Sequence, residues 1–368
     1  MKEVLSYNIH NILKFQIVRD KRRDLMRDLN LEFSFFEVEE IDDPDIVLNI
    51  GKFTPLNNNC YLVDHKYHIK GNYFYCKDVG GRAKWEVEIF GFEEGNTTIN
   101  FNANILGLER ILFPDLLPQN IALKPMIEYK LGKKDYFSIH SAAISKDNQA
   151  YILAGRGSAF KTTIIMDLVR NGRYNFLGDE RVIIYEDKVL SFPIHFLLYS
   201  YRSEHLPTEN FRSILDKIRF VKYLWNNSDY ANSNVLVNSS TLNAIFFIVR
   251  TNKPEVRKTP ISVKRAVDKL IANEKAEMLR NPSLALSDFG YHFLKYMLAY
   301  SYVFPESEVA KYWGNVREGL KRILRQVQVY EIEMPYKYDQ RVFNEISKLI
   351  QDLGCTPTFR EKGQFLDT

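Results

Sequence analysis

The residues best suited to chemistry lie in one stretch, where a strand is predicted to run through a glycine-rich turn into a helix. The strand is Tyr151 to Ala154, the turn is Gly155-Arg156-Gly157-Ser158-Ala159-Phe160, and the helix begins with Lys161-Thr162-Thr163. Backbone N–H groups in such a turn lack intrahelical partners, and the helix dipole favours an anion in front of them. Lys161 can supply charge to the β- and γ-phosphates, and the Thr162 hydroxyl can ligate their magnesium. Residues 155–163 are therefore predicted to bind the phosphates of a nucleotide.

This stretch departs from the pattern G-x-x-x-x-G-K-[ST] at one position, where Phe160 replaces the second glycine. Glycine reaches positive φ without steric cost and lets the backbone approach a phosphate closely, whereas phenylalanine restricts both. We expect Gly157 and Ser158 to let the loop curve differently while the Phe160 ring packs outward. The alternative interpretation is an ordinary glycine-rich turn, followed by a helix with a chance Lys-Thr pair.

A pair of acids follows the next predicted strand. That strand, Tyr174 to Leu177, comes after a helix whose end is marked by Asn171-Gly172, and it leads into Gly178-Asp179-Glu180. Ligands bind at the carboxyl ends of strands in α/β sheets, so these acids are expected beside the phosphate loop. Adjacent carboxylates repel each other, so their presence together needs a reason. A magnesium ion to be bound and a hydroxyl proton to be abstracted would explain the two acids. Taken alone, an Asp-Glu pair at the end of a strand more often lies on the solvated surface and has no functional role.

The order of these motifs resembles the HPr kinase/phosphorylase group, whose nucleotide-binding core is similar to that of phosphoenolpyruvate carboxykinase. The resemblance begins at residues 138–144, which look like the histidine-bearing strand of that family, and continues through residues 155–162 and 171–184. It covers residues 136–195 most securely and the rest of the C-terminal half more loosely.

The resemblance implies a role for each residue and a pair of cofactors, ATP and Mg²⁺. Lys161 would contact the transferred phosphate, Thr162 would bind magnesium, and His140 would lie near the phosphates. Asp179 would accept the proton of the substrate hydroxyl. Glu180 stands where the family usually has a second aspartate, and it would help to hold the metal.

The implied function is a kinase that transfers the γ-phosphoryl group of ATP to a hydroxyl, most simply that of a serine. The acceptor would belong to a peptide, a protein or a small molecule. HPr itself is not expected, because the sequence shows no clear counterpart of the glycine-rich segment that contacts it. Two alternatives stay open: a catalytically weak nucleotide-binding regulatory module, and a carboxykinase-like enzyme acting on a small acid.

Three further candidates each have an ordinary structural alternative. His140 lies between apolar strand positions, where a histidine usually bonds a backbone carbonyl. Glu204-His205 could add a carboxylate to the metal site or lie in a surface loop. Arg250 follows a predicted buried strand and opens a basic cluster, which could neutralise charge in phosphoryl transfer or form a solvated loop. The other members of the cluster are Lys253, Arg257, Lys258, Lys264 and Arg265.

Strands and helices that could position these residues are visible along the chain. Residues 10–118 look β-rich, with alternating runs such as Leu31–Phe36 and Trp85–Phe90. After Pro114 and Pro118, short apolar strands alternate with helices, which is typical of a mixed or parallel sheet covered by helices. Predicted elements there are a helix at Met126–Leu131 ended by Gly132, a buried strand at Ala244–Val249, and helices near Ser262–Glu277 and Gln340–Leu353.

The predicted fold class is α/β. Residues 119–368 are expected to form a P-loop nucleotide-binding core of HPr kinase type with a helical C-terminal extension. Residues 1–118 are expected to form a β-rich N-terminal domain.

Composition narrows the function classes. The 368 residues are 45% hydrophobic and 26% charged, and the net charge of +4 is too small for an electrostatic nucleic-acid binder. The cysteines are Cys60, Cys76 and Cys355, an odd number without metal-ligand spacing, which favours a reducing cytoplasm. No apolar run approaches the ~20 residues that span a membrane, so no membrane partner is expected. Assembly into a homo-oligomer is compatible with this composition.

Overall fold

The structure, a computed structural model, describes residues 1–22, 27–81, 83–107, 109–171, 174–194, 219, 222–223, 235–279 and 290–354. Within these ranges the chain is a mixed α/β protein with two large sheets. The strands of the first sheet are β1 (Lys2–Ile9), β2 (Leu13–Asp20), β3 (Glu37–Val38), β4 (Ile46–Ile50), β5 (Tyr61–Val63), β6 (Tyr67–Lys70), β7 (Tyr73–Gly80), β8 (Ala83–Phe90) and β9 (Thr97–Ile105). The strands of the second are β10 (Phe137–Lys146), β11 (Gln149–Ala154), β12 (Asn175–Gly178), β13 (Arg181–Tyr185), β14 (Lys188–Leu190), β15 (Ser239–Thr251), β16 (Arg257–Pro260) and β17 (Gln328–Pro335).

The helices join and cover these sheets. They are α1 (Arg27–Asn30), α2 (Glu109–Leu112), α3 (Leu116–Pro118), α4 (Lys124–Lys133), α5 (Lys161–Arg170), α6 (Val263–Met278), α7 (Gly290–Val303), α8 (Glu308–Leu324) and α9 (Gln340–Gly354), with a 3₁₀ turn at Ser34–Phe36 and a π turn at Gln119–Leu123. Among the described helices, none combines the length and the apolar character that crossing a bilayer requires.

The first sheet has nine strands in the order β3-β1-β2-β4-β9-β8-β7-β6-β5. Inward-facing side chains alternate with outward-facing ones along β2, as expected for a sheet with one covered face. The buried face packs on α4 and α7, where rings such as Phe92, Tyr129 and Tyr300 lie in one apolar cluster. The core of the N-terminal sheet therefore includes helices from later in the chain.

The second sheet follows the order β11-β10-β13-β14-β15-β17-β16, and β12 pairs with β10. A further parallel pairing joins β11 to β15, which closes part of this order into a ring. β17 also runs parallel to β15. Alternate residues of these strands face two apolar clusters, one containing α5 and α9 and the other containing α6 and α8. Helices therefore cover both faces of this sheet, as the sequence pattern predicts.

Several predicted elements are confirmed and two are wrong. Trp85–Phe90 lies in β8, Ala244–Val249 lies in β15, and the helices predicted near residues 262–277 and 340–353 are α6 and α9. The run Leu31–Phe36 is not a strand but a turn followed by a 3₁₀ turn. Its side chains do not alternate, because Leu31, the intervening Glu32 and Phe33 are all buried.

The second error concerns Gly132, which does not end the helix that the sequence predicts it to cap. Helix α4 continues to Lys133 and is capped at Lys134. A Cβ atom on Gly132 would lie 2.9 Å from the ring of Tyr312. The glycine therefore serves the close approach of α8, a tertiary contact that the local sequence does not show.

Candidate functional site

Three parallel strands bring their carboxyl ends to one edge of the second sheet. β11 lies beside β15, and β15 lies beside β17. The loop of residues 155–160 leaves the end of β11, Arg250 lies near the end of β15, and Tyr336 follows β17. This edge is where ligands bind in sheets of this kind.

The loop is held close to β15 and curls before helix α5. A Cβ atom on Gly155 would lie 2.8 Å from the carbonyl oxygen of Ile248, so only glycine permits this approach. The Ala159 N–H donates to the Arg156 carbonyl at 3.2 Å, and Ser158 has a φ of 66°. The first turn of α5 thus begins directly after a tight curl, with its N–H groups directed out of the helix terminus.

Phe160 adopts the left-handed conformation that a glycine would favour at this position, with a φ of 60°. Its ring stacks on Tyr338 at a centroid distance of 5.5 Å. On the chain after β17, Tyr338 in turn donates a hydrogen bond of 2.8 Å to Asp167 in α5. Burial, together with the Asp167 carboxylate, raises the pKa of the Tyr338 phenol, which keeps it a donor. Ring packing therefore accompanies the unfavourable backbone conformation of Phe160.

Arg250 fixes the same loop from the β15 side. Its guanidinium carbon lies 4.6 Å from the centroid of the Phe160 ring, and its Nη1 donates to the Ser158 carbonyl at 2.9 Å. The other predicted basic residues do not all join it. Lys253 lies 3.5 Å from Glu333, and Arg265 lies 3.1 Å from Glu331 on β17.

Lys161 lies beneath the loop, and its side chain is almost fully buried. Its Nζ donates to the Gly155 carbonyl at 2.6 Å and to the Arg156 carbonyl at 3.3 Å. The same atom lies 3.5 Å from Nε2 of His140 on β10. Lys161 and His140, two residues singled out from the sequence, are therefore in contact.

Thr162 and Asp179 form a second contact between predicted site residues. The Thr162 hydroxyl donates to Oδ1 of Asp179 at 2.9 Å. Asp179 directly follows β12, and the pairing of β12 with β10 brings the acid to the start of α5. A hydroxyl and a carboxylate are ligands that magnesium accepts, with phosphates and water supplying the rest of its coordination. The Thr162 hydroxyl therefore fits a magnesium site, with the Asp179 carboxylate beside it.

Glu180 is placed differently from its neighbour. Its side chain is exposed, its φ is 74°, and its backbone carbonyl accepts a hydrogen bond of 3.1 Å from Ser141. The pair Glu204-His205 lies outside the described residues.

The backbone of His140 is held by α6 through two side chains that sequence reasoning missed. Glu274 accepts a hydrogen bond from the His140 N–H, and Asn273 donates to the His140 carbonyl at 3.0 Å. On the same helix, Oε1 of Glu277 lies 3.9 Å from Nε2 of His140 and 2.9 Å from Arg156. The acids at 274 and 277 are three apart, a spacing that places them on one helix face and was readable from the sequence.

Glu274 also takes part in a buried ion cluster beneath the site. Arg181, which pairs with His140 across β10 and β13, lies 3.0 Å from Glu274 and 3.0 Å from Glu128. Burial acts to lower the pKa of Arg181, but the two carboxylates outweigh it and raise the pKa. Burial raises the pKa of the Glu274 carboxyl, and Arg181 opposes that shift.

Comparison with known proteins includes a weak structural likeness. No family model matches the sequence, and no curated protein matches it. The chain is similar to the HPr(Ser) kinase/phosphatase from Coxiella burnetii over 58% of this chain and 94% of that chain. The sequence identity is 9% and the TM-score is 0.23. A score this low carries no functional argument, so a function can be argued only from the sequence motif and the positions of the side chains.

Proposed function

We propose that this chain is an ATP-dependent phosphotransferase that transfers the γ-phosphoryl group to a hydroxyl, using a phosphate-binding core of HPr kinase type. The observation that carries the proposal is the 2.9 Å hydrogen bond between Thr162 and Asp179. It joins the hydroxyl that follows the buried lysine to the acid at a strand end. Phosphoryl transfer needs a cation ligand and a carboxylate at such a point, beside an anion-binding loop.

Each side chain then has a task that its position supports. The amides of residues 155–160 and the Lys161 ammonium hold the phosphates, and His140 adds a polar group beside the ammonium. Thr162, together with Glu180 that follows Asp179 at the same strand end, would supply oxygen ligands to magnesium. Magnesium, when bound, neutralises charge on the phosphates. Asp179 already accepts a hydroxyl hydrogen bond, and in the reaction it orients the acceptor hydroxyl and takes its proton.

The test uses labelled ATP. We expect Asp179→Asn to reduce transfer of γ-labelled phosphate to acceptors in a cell extract by about 100-fold or more, since a general base contributes that much. Its affinity for Mg-ATP, measured by calorimetry, should stay within about threefold of the unaltered chain. Lys161→Ala should lose binding and transfer together.

The matched control is Asp187→Asn, which alters an exposed acid in the turn after β13 and should change neither quantity. Unchanged transfer by Asp179→Asn would remove Asp179 as the base. If the unaltered chain does not bind Mg-ATP, the proposed function is wrong.

A second function, a nucleotide-binding regulatory module with little turnover, is favoured by the contacts of Lys161. Its ammonium lies against the carbonyls of its own loop, and only 7% of the residue is exposed. An arriving phosphate must therefore compete with backbone acceptors. A chain that binds Mg-ATP but neither labels an acceptor nor consumes ATP would be such a module.

A further inference from the structure

We infer that Tyr336 stacks on the aromatic base of a nucleotide whose phosphates occupy the loop of residues 155–160. This inference rests on the proposed function and adds the part of the substrate recognised beyond the phosphates. Tyr336 directly follows β17, at the edge of the sheet where the loop also lies, and 64% of the residue is exposed.

Arg250 links Tyr336 to the phosphate loop. Its guanidinium carbon lies 4.0 Å from the centroid of the Tyr336 ring, and its Nη2 donates to the Tyr336 carbonyl at 2.6 Å. Through Nη1 the same guanidinium bonds the Ser158 carbonyl. Phe160 lies on the guanidinium as well. The position of the Tyr336 ring is therefore coupled to the loop by a planar group with fixed donor directions.

The two tyrosines that follow β17 are used in different ways. Tyr338 stacks on Phe160 and donates to Asp167, so its ring and hydroxyl are both engaged in packing. Tyr336 has Arg250 over its ring and still exposes most of its surface. A large aromatic ring that is held in place but exposed, beside an anion-binding loop, is suited to stack on a planar ligand group.

The chemistry of stacking defines the ligand class. Stacking depends on the π face that all bases share and not on the hydrogen-bonding groups at the edges of a base. ATP and GTP should therefore bind with similar affinity, and inorganic tripolyphosphate, which has the phosphates but no base, should bind more weakly.

The experiment compares ATP with inorganic tripolyphosphate on the full chain by calorimetry, in the presence of magnesium. We expect the unaltered chain to bind ATP about 10-fold more tightly than tripolyphosphate, as one base stacked on an aromatic ring provides. Tyr336→Ala should weaken ATP binding about 10-fold and leave tripolyphosphate binding unchanged, and Tyr336→Phe should preserve both. The control Tyr302→Ala removes a tyrosine that is 81% exposed on α7 and should change neither affinity.

The outcomes separate the two proposals. Equal affinities for ATP and tripolyphosphate in the unaltered chain would overturn the stacking role and leave the phosphate site intact. If Tyr336→Ala weakens the binding of ATP and of tripolyphosphate equally, the stacking role is also overturned, since Tyr336 would then act on the loop through Arg250. A chain that binds neither ligand would overturn the proposed function, and the stacking role with it.

Discussion

Both sheets bury an arginine among carboxylates, but only the arginine of the second sheet lies beside the candidate site. In the first sheet, Arg19 on β2 lies 3.0 Å from Glu3 and contacts Asp115, which precedes α3. Asp115 also accepts hydrogen bonds from Arg22 and, at 2.8 Å, from Asn30. This cluster joins β1 and β2 to the chain that leads into α3.

The second cluster uses similar chemistry with one addition. Arg181 meets Glu128 from α4 and Glu274 from α6, and Glu274 also accepts the backbone N–H of His140. A buried charge must be paired with an opposite charge wherever it occurs in a protein. A buried ion pair by itself therefore shows only where helices and strands pack together. The second cluster bears on the proposed function because Glu274, the carboxylate that compensates the arginine, also fixes the backbone of His140 in the candidate site.

The largest expected effects come from removing one carboxylate charge in each cluster. Asp115→Asn and Glu274→Gln should each lower the free energy of unfolding by about 3 kcal/mol, because a buried arginine loses a partner. Urea denaturation measures this loss. Only Glu274→Gln should also weaken Mg-ATP binding, by about fivefold, since the backbone of His140 next to Lys161 is less firmly held.

An equal loss of Mg-ATP affinity in both variants would contradict the proposed difference between the two clusters. If Asp115→Asn weakens Mg-ATP binding as much as Glu274→Gln does, the first cluster affects the site as strongly as the second. Both affinities should be measured at a temperature where each variant is fully folded.

An intermediate effect on the free energy of unfolding is expected at Phe160. The ring of this residue stabilises the fold, whereas its left-handed backbone conformation destabilises it. Loss of the ring removes the contacts with Tyr338 and Arg250, which is destabilising. Glycine relieves the left-handed conformation and alanine does not, a difference of about 1 kcal/mol. Phe160→Ala should therefore be less stable than Phe160→Gly by about 1 kcal/mol in urea denaturation. Equal stabilities would mean that residue 160 does not hold a positive φ in solution.

The local parts of the candidate site could be predicted from sequence. A buried strand, a glycine-rich turn and a helix beginning at Lys161 are encoded within residues 149–170, and the structure has each of them. The sequence predicts that Asp179 lies beside the phosphate loop, and in the structure Asp179 accepts a hydrogen bond from Thr162 in the helix that follows the loop.

The parts that the sequence did not reveal depend on distant segments. Glu274 and His140 are 134 positions apart, and Phe160 meets Tyr338 only because β17 runs beside β15. Gly132 resembles a cap in the sequence, since its partner Tyr312 lies on another helix. The run Leu31–Phe36 alternates like a strand, but tertiary packing buries consecutive side chains there. Local periodicity carries no information on such contacts.

The smallest expected effect on the free energy of unfolding comes from substitution of Asp78, which lies on β7 in the first sheet. Its carboxylate accepts hydrogen bonds from Nδ1 of His292 at 2.9 Å and from Lys66 at 3.1 Å. Burial acts to raise the pKa of Asp78, but His292, the Val79 N–H and Lys66 together lower it from 3.8 to about 2. The carboxylate therefore ties β7 to α7 most strongly when it is ionised.

The sign of the pH effect follows from that shift. Because the folded pKa lies below the unfolded value, the stabilisation is present above about pH 4 and is lost as pH falls toward 2. With partial screening by water it amounts to about 1 kcal/mol. In urea denaturation, Asp78→Asn should therefore be less stable than the unaltered chain at about pH 5, and this gap should narrow at about pH 3. A gap independent of pH would show that the ionised carboxylate is not what stabilises the contact. Since Asp78 belongs to the first sheet, the substitution should leave Mg-ATP affinity at neutral pH unchanged, and a loss of affinity would show that the first sheet also influences the site.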